Sequence, residues 1–436
     1  MTATGRATVP TGSAPGAHGT GRWYRQVDAT AWRALIAGGG AWLFEVFDVT
    51  LLSLTTPALL ADFSTTKAQI GLIGTIQAVG MLVGGIAGGA IADRIGRVRS
   101  LSYATALYAL FTGLAALSPS LGVFALLRLL AGLGMGATWS AGAALIAETW
   151  PAEHRGKSGA LMQIGWPLGN LLGLGVAAVV TASNGGELHH GGWRILYAVG
   201  ALPLLLALYI RVATPESASW SRDNASDHSR PRVRTLLARG TREPLLLGVV
   251  FVLLLQYMFW GVVSFLPTYL VEVDGISLAK SLAFLLIQQA GVAVGIIAYL
   301  GVGDRWGRKP TFIAYLTLTA CGILLLISTR SHPAVIVASL LAGMGVSGIL
   351  AGIVPWAAEM VHQSPIRATA MSVIYHGGRV GAAAAPYIIG SLAVGTTGFK
   401  IGMLTTALAT VAGIIVMSFA PETKGRELTA NAAFHT

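Results

Sequence analysis

Two acidic residues, Glu45 and Asp48, stand three positions apart in the middle of an apolar run, so on a helix they share one face. An unpaired carboxylate at the centre of a bilayer costs about 3 kcal/mol even on the mild insertion scale. Desolvation favours the neutral acid, so a carboxyl placed there can bind and release a proton whenever water reaches it. Far along the chain, Tyr375, His376 and Arg379 recur at the i, i+3, i+4 spacing of one helical face. A guanidinium stays charged at physiological pH and offers a planar fork to a carboxylate. Deep in an apolar run it needs a water-filled cavity or an acidic partner. Arg379 therefore either holds a carboxylate brought from outside or pairs permanently with Asp48 or Glu45. An arginine released when its acid is protonated would do both in turn. His376 has the reference pKa nearest neutrality and is a proton relay or a hydrogen-bonded packing residue. Arg128 opens an Arg-x-x-x-Gly-x-Gly-x-Gly stretch, close enough to the end of its run to reach for the interface.

Polar and aromatic residues gather on other runs. Gln163, Trp166 and Asn170 share a face, Gln256, Tyr257 and Trp260 cluster, and Gln288 adjoins Gln289. Amides and aromatics of this kind orient a ligand in a cavity or bind helices to one another. Trp139 and Met135 are assigned to packing.

The elements that must position these side chains are helices. Hydrophobic residues make up 54% of the 436 and charged residues only 11%, too few for the surface of a soluble protein. Apolar runs long enough to span a bilayer lie near 33–60, 69–92, 100–117, 121–147, 157–181, 193–211, 245–270, 279–302, 310–328, 333–358, 368–394 and 399–420. The expected fold is an all-α membrane protein: twelve transmembrane helices in two pseudo-symmetric six-helix bundles around a central cavity. Residues 1–30 read as a disordered tail, 31–211 as the first bundle, 212–243 as a central loop, 244–420 as the second bundle and 421–436 as a tail. With both termini on one side, 22 of the 29 lysines and arginines fall on that side. That asymmetry identifies the side as cytoplasmic, so the net charge of +11 reports orientation in a cell membrane and no nucleic-acid partner. The single cysteine, Cys321, permits no internal disulfide.

The two bundles are copies. Asp93-Arg94-Ile95-Gly96-Arg97 returns 211 positions later as Asp304-Arg305-Trp306-Gly307-Arg308, and Glu148 matches Glu359 at the same offset. Arg155 and Arg367 follow them, and Pro215-Glu216-Ser217 and Pro421-Glu422-Thr423 close the halves. Such duplication is the mark of a transporter built from repeats. Acidic and basic groups in register at one end of both copies suit charge networks that latch and release a cavity. Asp93 is expected to cap a helix N-terminus or to pair with an arginine such as Arg155, while Glu148 with Arg155 and Glu359 with Arg367 complete the clusters. The plainer reading is that these charges only set topology.

The paired Gly-x-x-x-Asp-Arg-x-Gly-Arg turns, complete from Gly89 and carrying Leu300 for the leading glycine in the second copy, resemble the major facilitator superfamily over almost the whole chain. The Pro-Glu-Ser and Pro-Glu-Thr-Lys-Gly-Arg ends resemble sugar porters and aromatic-acid:proton symporters. Glu45-Val-Phe-Asp48 followed by Pro57 is similar to the Asp-x-x-Asp…Pro of the latter, with Glu in the first place. Glu148-Thr-Trp-Pro151-Ala-Glu-His-Arg155-Gly156 with Met162-Gln163 resembles the sialate and lactate symporters, and Arg379 matches an arginine of carboxylate-transporting members. In that family the Arg128 motif accompanies proton coupling and the working unit is usually a monomer. The resemblance implies proton-coupled uptake of a small organic anion, with protons, substrate and lipid as the partners. A sugar porter is the alternative that explains the chain's ends but leaves Arg379 idle. An efflux antiporter fits less well, since Gly165-Trp166-Pro167-Leu168-Gly169-Asn170 lacks the expected Gly-Pro pair. A nutrient sensor would add a cytoplasmic domain. No metal-ligand cluster, phosphate-binding glycine loop or nucleophile motif points to an enzyme or a cofactor.

Overall fold

The computed structural model describes residues 22–183, 188, 191–225, 236–238, 240–272, 278–329, 331–361, 364–392 and 395–428. Most of the expected N-terminal tail, residues 226–235 and 239 of the central loop, and 429–436 of the C-terminal tail lie outside them.

The described chain is helical. The first copy comprises α1 (Ala29–Asp62), α2 (Lys67–Ile95), α3 (Arg97–Ala115), α4 (Leu121–Thr149), α5 (Arg155–Gln163), α6 (Gly165–Ser183), α7 (Gly192–Val199) and α8 (Pro203–Ala213). A short helix, α9 (Ala218–Ala225), occupies part of the segment expected as loop. The second copy comprises α10 (Arg242–Glu272), α11 (Leu278–Trp306), α12 (Arg308–Ser328), α13 (His332–Met360), α14 (Arg367–Gly377), α15 (Arg379–Leu392) and α16 (Gly395–Phe419). Polar residues set several starts. Asp28 caps α1 through the Ala31 amide at 2.8 Å, Thr66 and Gln69 form a reciprocal capping box on α2, and Ser120 caps α4.

Ten segments are long and apolar enough to cross a membrane among the described residues. The expected twelve would add α3, which opens on Arg97 and Arg99, and the α14–α15 pair, which is interrupted at Gly378. Large apolar side chains on outward faces are exposed, among them Leu171, Val179, Leu205, Leu208 and Leu408. Together they form a surface that only lipid would cover without penalty.

Packing repeats with the sequence. α4 lies against α2 and α3 as α13 lies against α11 and α12, and α1 meets α6 as α10 meets α15. The two copies touch through α2 and α4 on α14, and through α11 and α13 on α5. Two breaks are related by the repeat: α5 passes to α6 at Ile164, and α14 to α15 at Gly378. After each break the helix presses on a neighbour's backbone. A side chain at Gly169 would collide with the Leu43 carbonyl, and one at Gly381 with that of Leu253.

Candidate functional site

At the end where the described chain begins and finishes, two charge networks join the copies. Glu148, at the end of α4, accepts from Arg97 at 3.2 and 3.0 Å, from Arg367 of the other copy at 2.9 Å, and from Ser217 at 2.5 Å. Asp93 pairs with Arg97 at 3.0 Å. It also caps α14 of the other copy, accepting from the Ala368 and Thr369 amides at 3.1 and 2.8 Å and from the Thr369 hydroxyl at 2.5 Å. The second network repeats the first. Glu359 accepts from Arg308 at 3.0 and 2.8 Å, from Arg155 of the first copy at 3.3 Å and from Thr423 at 2.8 Å. Asp304 pairs with Arg308 at 2.8 Å and caps α5 through the Gly156 and Lys157 amides at 2.7 and 3.1 Å, with the Lys157 ammonium at 3.1 Å.

These contacts correct the pairing expected from sequence. Glu148 binds Arg367 and Glu359 binds Arg155, each across the interface; Asp93 does cap a helix N-terminus, that of α14, and its arginine is Arg97 instead of Arg155. Proximity in sequence misled because Arg155 and Arg367 each begin a new helix, and that helix start is packed against the other copy. Arg94 and Arg305 are exposed and stand outside both networks. Glu216 and Glu422 cap the starts of α3 and α12: Glu216 accepts from the Arg97 amide and Glu422 from the Arg308 amide, each at 2.9 Å. The turns before these helices require Gly96 and Gly307, whose φ values are 104° and 102° with extended ψ, a region essentially reserved for glycine that costs other residues about 1–3 kcal/mol. A side chain at either glycine would also strike the capping carboxylate. A cleft of about 600 Å³ beside Trp150, Arg222 and Glu427 opens on these charge networks, away from the interior acids.

Inside the helices the two acids of α1 part company. Asp48 is held within its own copy: Arg128 reaches it with a two-pronged pair at 3.0 and 2.5 Å, Thr112 donates at 2.7 Å and Gln77 at 3.4 Å. Gln77 in turn accepts from Arg128 at 3.3 Å. Arg128 is fully buried, 5.4 Å from the centre of the Tyr197 ring, so it neither snorkels nor leaves Asp48 for Arg379. Glu45 faces the other copy. Its carboxylate lies 3.7 Å from Arg379, and among the described residues neither of its buried oxygens has a hydrogen-bond partner. A buried charge with no hydrogen bond is costly. Arg379 retains one-fifth of its side-chain exposure.

Around that pair the predicted residues divide. Tyr375 lies beneath Arg379, with the guanidinium 5.8 Å from its ring centre, and stacks on Trp139 of the first copy at 3.7 Å. Trp139 thus packs, as expected of it, and does so across the two copies. Gln256 is buried within reach of Tyr375. Trp166 contacts Trp42 at 6.0 Å and Phe259 at 5.6 Å, and Phe259 meets Trp260 at 5.5 Å, which gives an aromatic wall shared by both copies. Gln163 is buried at the break between α5 and α6. Others are drawn away. His376 is fully buried against Gly85, 3.5 Å from the Ser140 hydroxyl. Asn170 bonds Thr50 at 2.8 Å and the Trp166 carbonyl at 3.0 Å. Tyr257 bonds Thr405 at 2.7 Å. Gln288 is buried and Gln289 exposed, as befits neighbours on a helix.

A family model described as Major Facilitator Superfamily matches residues 40–303 and 289–435. The chain belongs to the major facilitator superfamily. The sialic acid transporter NanX of Escherichia coli is 28% identical over 394 residues, covering 88% of this chain and 94% of its own. The cis,cis-muconate transport protein of Acinetobacter baylyi is 29% identical over 81% of this chain and 86% of its own. Among solved structures, the proton:xylose symporter XylE bound to 6-bromo-6-deoxy-D-glucose shares the fold, with a TM-score of 0.77 at 20% identity over 92% of this chain and 98% of that one. As a member of the superfamily, this chain is a multi-pass membrane transporter of small molecules and not an enzyme.

Within this superfamily member, sequence reasoning missed Gln77 and Thr112, which bond Asp48, and Trp42, whose buried indole nitrogen has no hydrogen-bond partner among the described residues. Nothing local distinguishes these residues. It also left the Pro-Glu-Ser and Pro-Glu-Thr ends without a task, although their repetition was a signal. Their Glu caps the helix after the turn, and their Ser217 or Thr423 binds the latch carboxylate.

Proposed function

We propose that this transporter carries a small carboxylate into the cell together with protons, by alternating access between two six-helix bundles, residues 31–211 and 244–420, with both termini cytoplasmic. The observation that carries the reading is the Glu45–Arg379 pair. It spans the two copies, lies over the Tyr375 ring, is too long for a strong hydrogen bond, and leaves both Glu45 oxygens unbonded among the described residues. The names of the two relatives, a sialic acid transporter and a muconate transport protein, both denote carboxylates.

A proton that reaches Glu45 neutralises the acid paired with Arg379, and the guanidinium then takes the substrate carboxylate. With the site neutralised, the copies rock and the charge networks at the terminal end separate. Loss of the proton on the inner side restores the Glu45 carboxylate, which recaptures Arg379 and displaces the substrate. Asp48 and Arg128 remain paired and fix the position of α1 beside that exchange, so Glu45 rather than Asp48 carries the transported proton. Gln163, Trp166, Gln256, Trp260 and Tyr375 face the substrate.

The test is uptake into proteoliposomes under an inward proton gradient, with labelled benzoate, cis,cis-muconate, sialate and xylose offered to wild type, Glu45→Gln and Arg379→Ala. Gradient-driven accumulation of a carboxylate, lost in both variants, is the expected result. Accumulation of xylose alone, or carboxylate uptake that survives Arg379→Ala, overturns the reading.

A further inference from the structure

The Arg379 guanidinium has a second contact in the first copy: its Nη1 lies 3.2 Å from the sulfur of Met81 on α2. Met81, Gly85 and Gly89 follow one another at four-residue intervals, so they lie along one face of the helix. The two glycines form a close seam with α14. A side chain at Gly85 would collide with the His376 ring, and one at Gly89 with Ser372. Met81 is the next position on that face, where α14 has given way to α15 at the Gly378 break and Arg379 reaches across. The sulfur is buried with Tyr108, Ala131 and Met135, so its position is fixed by packing.

A guanidinium carries five N–H donors, and a thioether is a weak acceptor. A strong acceptor at this position would occupy Arg379 and compete with any incoming anion, while an empty apolar wall would not orient it. We infer that Met81 is a specificity-determining residue: a deliberately weak placeholder that aims Arg379 at the cavity and yields its donor to the substrate carboxylate. This inference rests on the reading that Arg379 receives that carboxylate.

The experiment measures uptake kinetics for the carboxylate that wild type accumulates, benzoate and cis,cis-muconate being tried first, in Met81→Gln, Met81→Leu and Arg379→Ala. Gln brings an amide oxygen of similar reach that bonds a charged donor well. Its KM should rise about tenfold with the maximal rate unchanged, equivalent to about 1.4 kcal/mol. Leu keeps the volume but removes the acceptor that aims Arg379, so its KM should rise about threefold, less than with Gln. A KM for Met81→Gln that stays within twofold of wild type overturns the inference, as does a Leu variant impaired as much as Gln. Those results leave Arg379 intact as the anion receptor if Arg379→Ala still abolishes uptake. If Arg379→Ala transports normally, or wild type accumulates no carboxylate, the underlying reading fails and this inference falls with it.

Discussion

Replacing Asp93 with Asn removes one charge and leaves every neighbouring helix its own packing, so it isolates what the latch contributes. Asp93 accepts three hydrogen bonds from the other copy, at 3.1, 2.8 and 2.5 Å, and all three come from the first turn of α14. Asn keeps one acceptor oxygen and turns an amide nitrogen towards donors. At least one charge-assisted bond is then lost, at about 1.5–3 kcal/mol. The favourable placement of a carboxylate at a buried helix N-terminus goes too, a contribution of up to about 2 kcal/mol. A loss of about 3 kcal/mol lowers the ratio of latched to open molecules roughly a hundredfold, since each 1.4 kcal/mol is a factor of ten. The assay is labelling of Ser372→Cys by a membrane-impermeant maleimide, with Cys321→Ser as background. Ser372 is fully buried in the seam against Gly89, so it reacts only when the copies part. Labelling should be slow in the otherwise wild-type protein and up to a hundredfold faster with Asp93→Asn. Asp304→Asn should act in the same direction, because its two oxygens take donors from the first turn of α5 in the same arrangement. Equal labelling rates with and without Asp93→Asn would falsify the assignment of Asp93 as a latch between the copies.

Three further outcomes are expected. Gly96→Ala and Gly307→Ala each force a side chain into positive φ and against a capping carboxylate. Each should cost about 1–3 kcal/mol, read as a lower thermal midpoint in detergent. Arg128→Met strands the buried Asp48 carboxylate, a loss of about 3–5 kcal/mol, whereas Arg128→Met combined with Asp48→Leu should regain most of that stability. A double variant as unstable as the single one would show that the pair is not the dominant interaction there. Trp139→Leu removes the ring stacked at 3.7 Å on Tyr375, about 0.5–1.5 kcal/mol beyond the lost area, and should speed maleimide labelling at Ser372→Cys without changing which solutes are accumulated.

The chain's helices, its duplication and the identity of its buried charges were legible in the sequence. Apolar runs of spanning length leave the backbone no other way to satisfy its hydrogen bonds in lipid, and the two Asp-Arg-x-Gly-Arg turns announce the repeat by themselves. The acids and arginines were also visible, because charge in an apolar run is rare enough to notice. Their partners were not. Glu45 and Asp48 share a helical face by spacing, yet Asp48 is taken by Arg128 from its own copy while Glu45 meets Arg379 from the other. Glu148 and Arg155 are neighbours in sequence, yet each bonds across the interface. Helical periodicity specifies the direction of a side chain from its own axis, and so gives the type of residue on each face. Which helix stands opposite that face depends on crossing positions set by close approaches such as Gly85 on His376 and Gly381 on Leu253, and those exist only once the copies are packed.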